Sequence, residues 1–345
     1  MANWQILFRN HYLILALVLY QGQGFSSDAS PVKSLSGWTM ATRYNIRIAT
    51  EKALPDQLQK NIDSKLVSIN QKLSTYIDES EISRFNNANT AAFMPVSPDF
   101  MANYKISLEV HQLTAGAFDP TIGPVVELWG FSKAKTPVPS LEAVKSTLKS
   151  LGIHKIQRQG SHRLSKTAPG IRLDFSGVAK GYAVDEVARL LEQNGFRDYL
   201  VEIGGEVRTS GHKPGKKPWA LGIEAPSYSQ RQLFTVIHLS GEAMATSGSY
   251  RNYREVDGKR LSHLIDPRTG MPSTHTTASV TVLDTRCSRA DAIATGFIIM
   301  GHKEAMEIAN QQNIPAYFIV KEGERFEGYS SRAFLKHQEK YKKKR

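Results

Sequence analysis

The sequence predicts an α+β fold on three observations. Helical and strand periodicities are interspersed along the chain, glycine-marked turns separate short apolar runs, and no long linker or internal repeat divides it. With 345 residues, 41% of them hydrophobic, the chain can bury a sizeable core as one large domain or two closely packed lobes. Tyr44, Ile46 and Ile48 alternate with polar residues and read as a strand. Leu58, Ile62, Leu66, Ile69 and Leu73 recur at steps of three and four, so residues 56–74 form a helix buried on one face. Ser97-Pro98 supplies an N-cap and a first-turn proline for a second helix that runs to about Leu113, and Ser140 caps a third through Leu151. Between those two lies Thr114 to Pro124, too rich in glycine and proline to extend either. The second half reads as strand 171–175, helix 178–193 ended by Gly195, strand 199–203, a Gly204-Gly205 turn, and strands near 219–224 and 233–239. Strand 278–283, helices 288–300 and 303–312 and strand 315–321 follow, giving one interwoven unit of mixed sheets and packed helices, with a cleft between two lobes.

Residues 1–29 read differently. Arg9 and His11 precede the apolar run Tyr12–Tyr20, which is short for a membrane span and is followed by small and polar residues, as in a secretory signal peptide. An uncleaved N-terminal anchor is the alternative, and either places the protein outside the cytoplasm, in the periplasm. The only cysteine, Cys287, lies far beyond that run, so it offers no lipid attachment there and no internal disulfide. Much of the formal charge of +12 sits in a basic tail at 336–345, which suits peripheral contact with an anionic membrane surface and, in an exported protein, excludes nucleic acid as a partner.

Three segments carry candidate chemistry. From Leu173 to Asp185 an apolar stretch enters a glycine turn and opens a helix, so freed backbone N–H groups, the helix dipole and Lys180 can hold a phosphate; the spacing matches neither the P-loop nor the dinucleotide fingerprint. The same residues also suit a plain turn with a solvated lysine. Asp291 and Thr295 stand four apart on one helical face and offer hard oxygens to Mg²⁺ or Ca²⁺, although Ser288-x-x-Asp291 is equally a capping box and Thr295 can bond back to its own helix. His263 precedes Asp266 by three residues and can accept a proton, while Asp266-Pro267 with Gly270 also reads as ordinary turn chemistry. Thr246 to Tyr253 holds hydroxyls and Arg251 for an anion or a turn, and no G-x-S-x-G elbow surrounds its serines.

Taken together, these segments resemble the ApbE family of flavin transferases, which move FMN from FAD to a Thr or Ser hydroxyl of a target protein and release AMP. The resemblance runs from Thr39-Met40-Ala41-Thr42 through Ser83–Asn86, Gly116–Pro124, Leu128–Phe131, the phosphate turn, Val201–Glu206, Thr246–Tyr253 and Ser262–Gly270 to Ala290–Thr295. It implies a T-fold-like architecture over residues 30–335. The metal, Mg²⁺, would be held by the main-chain oxygen of Gly177 with Asp291 and Thr295. FAD, the substrate, would be touched by Met40, Tyr76, Ala117, Phe118, Asp119, Asp174, Lys180 and Ile265, and His263 matches the family's general base. The implied acceptors are exported subunits of redox pumps of the RNF and sodium-translocating NADH:quinone reductase type. An FAD pyrophosphatase and a non-catalytic flavin-binding protein are the alternatives. Two departures stand out: Ala41 occupies a position where the family usually has glycine, and the lipid-anchored cysteine of many relatives is missing.

Overall fold

The alternation seen in the strands builds the centre of the molecule. Tyr44, Ile46 and Ile48 pair antiparallel with Ile203, Val201 and Tyr199 in that order, and all six are buried on one sheet face. The structure is a computed structural model that describes residues 31–131, 137–168, 170–226, 232–249, 253–256 and 259–342. Its strands in chain order are β1 (Val32–Thr39), β2 (Thr42–Ala49), β3 (Met94–Pro95), β4 (Ile156–Gln159), β5 (Arg163–Lys166), β6 (Tyr199–Ile203), β7 (Glu206–Ser210), β8 (Trp219–Glu224) and β9 (Leu233–Leu239). They continue as β10 (Ala243–Gly248), β11 (Tyr253–Val256), β12 (Lys259–Ser262), β13 (Ile265–Asp266), β14 (Met271–Pro272), β15 (Thr277–Asp284), β16 (Ala316–Glu322) and β17 (Arg325–Ser330). The helices are α1 (Leu58–Leu73), α2 (Glu81–Asn87), α3 (Pro98–Leu113), α4 (Gly123–Leu128), α5 (Leu141–Leu148), α6 (Ala179–Gln193), α7 (Cys287–Met300), α8 (His302–Gln311) and α9 (Arg332–Lys342).

One eight-stranded antiparallel sheet, in the order β1-β2-β6-β7-β10-β15-β16-β17, divides the core. On one face α1, α3, α6 and α7 bury Ile62, Leu66, Phe100, Val184 and Phe297 against Ile46, Val201, Val280 and Phe318. On the other, Leu200, Val207, Met244 and Ile319 meet the β8–β9 hairpin and Phe334 of α9. Each such side chain, fully buried, stabilises by roughly 1.5–3 kcal/mol. A satellite core of Val125, Trp129, Val144, Leu151 and Ile265 sits under α4, α5 and β13, and Trp129 donates from Nε1 to the Gly270 carbonyl at 2.7 Å.

The helices expected at Ser97 and Ser140 start there, the serine hydroxyls accepting from the N–H groups of Phe100 and Ala143 at 3.2 Å each. The third ends at Leu148, where the chain turns, rather than at Leu151. The expected strand at 171–175 is extended but joins no sheet. Its backbone is satisfied instead by the amide side chain of Asn86, which donates to Leu173 O at 2.8 Å and accepts from Leu173 N at 2.7 Å, and by Pro120 O, which accepts from Asp174 N at 2.7 Å. Part of the expected basic tail continues α9, so the boundary drawn at 335 falls inside a helix whose Lys340 pairs with Glu242 at 2.9 Å. Among the described residues no helix is long and apolar enough to cross a membrane; the leader at 1–29 lies outside them.

Candidate active site

Two helix starts meet beside the sheet, and each is capped by a carboxylate from the other. Asp291 Oδ2 on α7 accepts from Gly181 N at 2.9 Å near the start of α6. Asp185 on α6 accepts from Cys287 N at 3.0 Å, from Ser288 N at 2.9 Å and from Ser288 Oγ at 2.7 Å. The capping box suggested by Ser288-x-x-Asp291 is therefore not what forms: Ser288 bonds to Asp185, and Asp291 reaches across to the neighbouring helix. Glycine makes this approach feasible, because a Cβ on Gly181 would stand 2.4 Å from the Cys287 carbonyl oxygen.

The same crossing brings the turn to α7. A Cβ on Gly177 would lie 3.2 Å from Thr295 Oγ1 and 3.0 Å from the Phe118 ring, so that turn, Thr295 and Phe118 share one small space. Thr295 Oγ1 lies 3.3 Å from Ser247 Oγ on β10, an arrangement other than the bond back to its own helix. A main-chain oxygen, a carboxylate and a hydroxyl are hard donors of the kind Mg²⁺ takes. No group of three or more His, Cys, Asp or Glu side chains able to hold a metal occurs among the described residues.

Lys180, one-third exposed, extends to Glu206 Oε1 at 2.6 Å. Burial would lower its pKa, but Glu206 and Asp291 more than offset that and raise it, so the ammonium stays charged. Burial raises the Asp291 carboxyl, opposed by Lys180 and the Gly181 N–H. Glu206 is the first residue after the Gly204-Gly205 turn, and with Arg208, which pairs with Asp185 at 2.9 Å, it faces α6.

The other expected site residues have the following surroundings. Ala117 and Phe118 are buried in the main core, and Asp119 Oδ1 caps Thr121 N at 2.8 Å while Oδ2 lies 3.4 Å from His111 Nδ1. Asp174 Oδ1 accepts from Ser176 N at 2.8 Å, shaping the turn. Tyr76 is exposed overall, and desolvation of its hydroxyl together with the Asp174 carboxylate raises its pKa. Met40 and Ala41 form the β1–β2 turn with φ of 48° and 57°. The adjoining Thr42 packs on Gly204, where a Cβ would be 2.9 Å from its methyl. Ile265, buried, lies on β13, which packs on α7. His263 is half-buried two residues earlier. Asp266 acts as turn chemistry, accepting from Arg268 N at 2.9 Å and from the Arg268 guanidinium, which also reaches Glu304. Tyr250, Arg251 and Asn252 lie outside the described residues. Sequence reasoning gave no role to Gly181, Asp185 or Arg208; the spacing of Gly181 from Lys180 was visible, but its contact partner is 106 residues away.

The chain is similar to known proteins over most of its length. The model of the ApbE family matches residues 40–318. A protein of Vibrio cholerae named FAD:protein FMN transferase is 41% identical over 97% of this chain and 98% of its own length. One of the same name from Escherichia coli K12 is 36% identical over 96% and 97%. Among solved structures, the flavin transferase ApbE of Vibrio cholerae is 39% identical with a TM-score of 0.81, covering 89% of this chain and all (100%) of that one. The apo flavinyl transferase ApbE of Pseudomonas stutzeri is 33% identical with a TM-score of 0.83, covering 91% and 99%.

Proposed function

The chain belongs to the ApbE family, and from that premise we propose that it transfers FMN from FAD to a Thr or Ser hydroxyl of a target protein, with Mg²⁺, releasing AMP. What supports this reading is that Asp291 accepts from Gly181 N near the start of α6 while the turn at Gly177 packs on Thr295, one helical turn beyond Asp291. Gly177 O, the Asp291 carboxylate and Thr295 Oγ1 would hold the cation, which when bound neutralises charge on the diphosphate of FAD. Lys180 and the amides opening α6 bind that diphosphate and orient it. His263 takes the proton from the acceptor hydroxyl as its oxygen bonds to the phosphorus on the riboflavin side and the bond to the AMP oxygen breaks. Tyr76, exposed, and Met40, half-buried, are proposed to meet the flavin's planar ring or the adenine. The leader-like sequence at 1–29 supports a periplasmic location, and exported subunits of RNF or sodium-translocating NADH:quinone reductase type are the proposed acceptors, with peripheral membrane contact through the basic C-terminus.

Incubation of the protein with FAD, Mg²⁺ and an acceptor fragment should give a flavin-fluorescent acceptor band. Free FMN formed without acceptor would point to hydrolysis instead, and tight FAD binding with no AMP would point to a binding protein. Asp291→Ala should lose activity and regain part of it in excess Mg²⁺; full activity at low Mg²⁺ would contradict the assignment.

A further inference from the structure

We propose that Glu206 is a positioning residue that holds the Lys180 ammonium off Asp291 and so leaves the Asp291 carboxylate open to a divalent cation. The inference rests on the cation site proposed above. Two buried carboxylates, Glu206 and Asp291, each at 3% exposure, stand near the one-third exposed Lys180. A lysine next to two carboxylates would close an ion pair with either, and a pair with Asp291 would occupy the position of the cation. Among the described residues the ion pair of Lys180 is with Glu206, at 2.6 Å.

The backbone explains the choice. Glu206 opens β7 opposite Ile203, directly after two glycines with φ of 61° and 109°, so its side chain is fixed by the sheet and faces α6. The other nearby acid, Glu202, is committed elsewhere, accepting from Asn45 Nδ2 at 2.7 Å and from Gly205 N at 2.8 Å. Asp291 is oriented separately, through Oδ2 and the Gly181 N–H. Glu206 Oε1 takes the Lys180 ammonium, while Oε2 is buried without a hydrogen-bond partner, so the fold's own donors use only half of this carboxylate. An unsatisfied buried oxygen destabilises a fold, more so when charged, and a role at the site accounts for its retention.

The test is calorimetric titration of the full chain with Mn²⁺ alone, with no FAD or turnover. Asp291→Asn should abolish the site seen in the parent; a parent that binds no Mn²⁺ there would overturn the cation reading itself. Glu206→Gln frees Lys180 to pair with Asp291 and should weaken Mn²⁺ binding about tenfold, the loss of one charge-assisted contact. Lys180→Met removes the competitor, so Mn²⁺ should bind at least as tightly as to the parent, and the double variant should recover most of what Glu206→Gln loses. Parent-like affinity in Glu206→Gln, or no recovery in the double variant, would overturn the role of Glu206 while leaving the cation site standing. Should Glu206→Gln fail to fold, Lys180→Met alone decides, since weakened binding there contradicts a competing ammonium.

Discussion

Replacing Gly181 with alanine sets two effects of opposite sign against each other. Helix propensity favours the alanine by about 1 kcal/mol in a helix interior. Packing opposes it: the new Cβ would meet Cys287 O at 2.4 Å, Cys287 C at 2.7 Å and Ser288 Cα at 2.8 Å, all backbone atoms that cannot rotate away. Ordinary carbon contacts lie at about 3.5–4.0 Å, so α6 and α7 must part by about 1 Å. Overpacking of this kind costs about 1–3 kcal/mol. The shift also stretches the bond from Gly181 N to Asp291 and those from Cys287 N and Ser288 N to Asp185, charge-assisted contacts of about 1.5–3 kcal/mol each. Partial loss of these brings the expected net destabilisation to about 2–4 kcal/mol, a fall in Tm of roughly 4–8 °C at about 2 °C per kcal/mol for a chain of this size. Thermal unfolding followed by circular dichroism measures it. Gly123→Ala is the control, because it opens α4 with nothing within 4 Å of the new methyl, and it should be neutral or slightly stabilising. A Gly181→Ala protein that melts at or above the parent would refute the packing argument.

Ala41→Gly should stabilise by about 0.5–1 kcal/mol, since an L-residue at φ 57° carries left-handed strain that glycine lacks, less glycine's larger unfolded-state entropy; a lower Tm would count against it. Gly177→Ala puts a methyl 3.0 Å from Phe118 and 3.2 Å from Thr295, so that these neighbours must give slightly, and FMN transfer should fall by a few-fold with little change in Tm, less than the roughly 100-fold that a full 1 Å misplacement can cost. Loss of stability without loss of activity would be the contrary result. Glu242 is held down to about 2 because hydrogen bonds from Ser240 N at 2.7 Å and Lys340 Nζ at 2.9 Å, with the His337 ring 3.7 Å away, more than offset its burial. A depressed folded pKa gives stability that is present above the ordinary value of 4.5 and lost as pH falls toward 2. The Tm advantage of the parent over Glu242→Gln should therefore shrink across that window, and an advantage that grows on acidification would contradict the sign.

Periodicity made the sheet and most helices legible: Leu58 to Leu73 and Tyr44 to Ile48 announce their buried faces because local geometry sets the repeat. The stretch 171–175 misled, since apolar alternation signals burial and not ladder pairing, and here the Asn86 side chain replaces the neighbouring strand. At the site, Lys180, Asp291 and Thr295 could be singled out by residue type and spacing. Whether Asp291 caps its own helix or reaches another could not, because that depends on a helix crossing between residues 110 positions apart. Glu206 carried little signal for the same reason: its importance comes from a hairpin that delivers it to a lysine 26 residues earlier.

The exchange of carboxylates between α6 and α7 has a dynamic consequence. Neither helix can fray at its beginning without orphaning amides of the other, so the two ends behave as one cooperative opening unit. In deuterium the peptide protons of Gly181, Cys287 and Ser288 should be replaced together, at a single rate far slower than first-turn amides ordinarily show. A local fluctuation that would merely loosen one spiral in another protein would here open both helix starts at once.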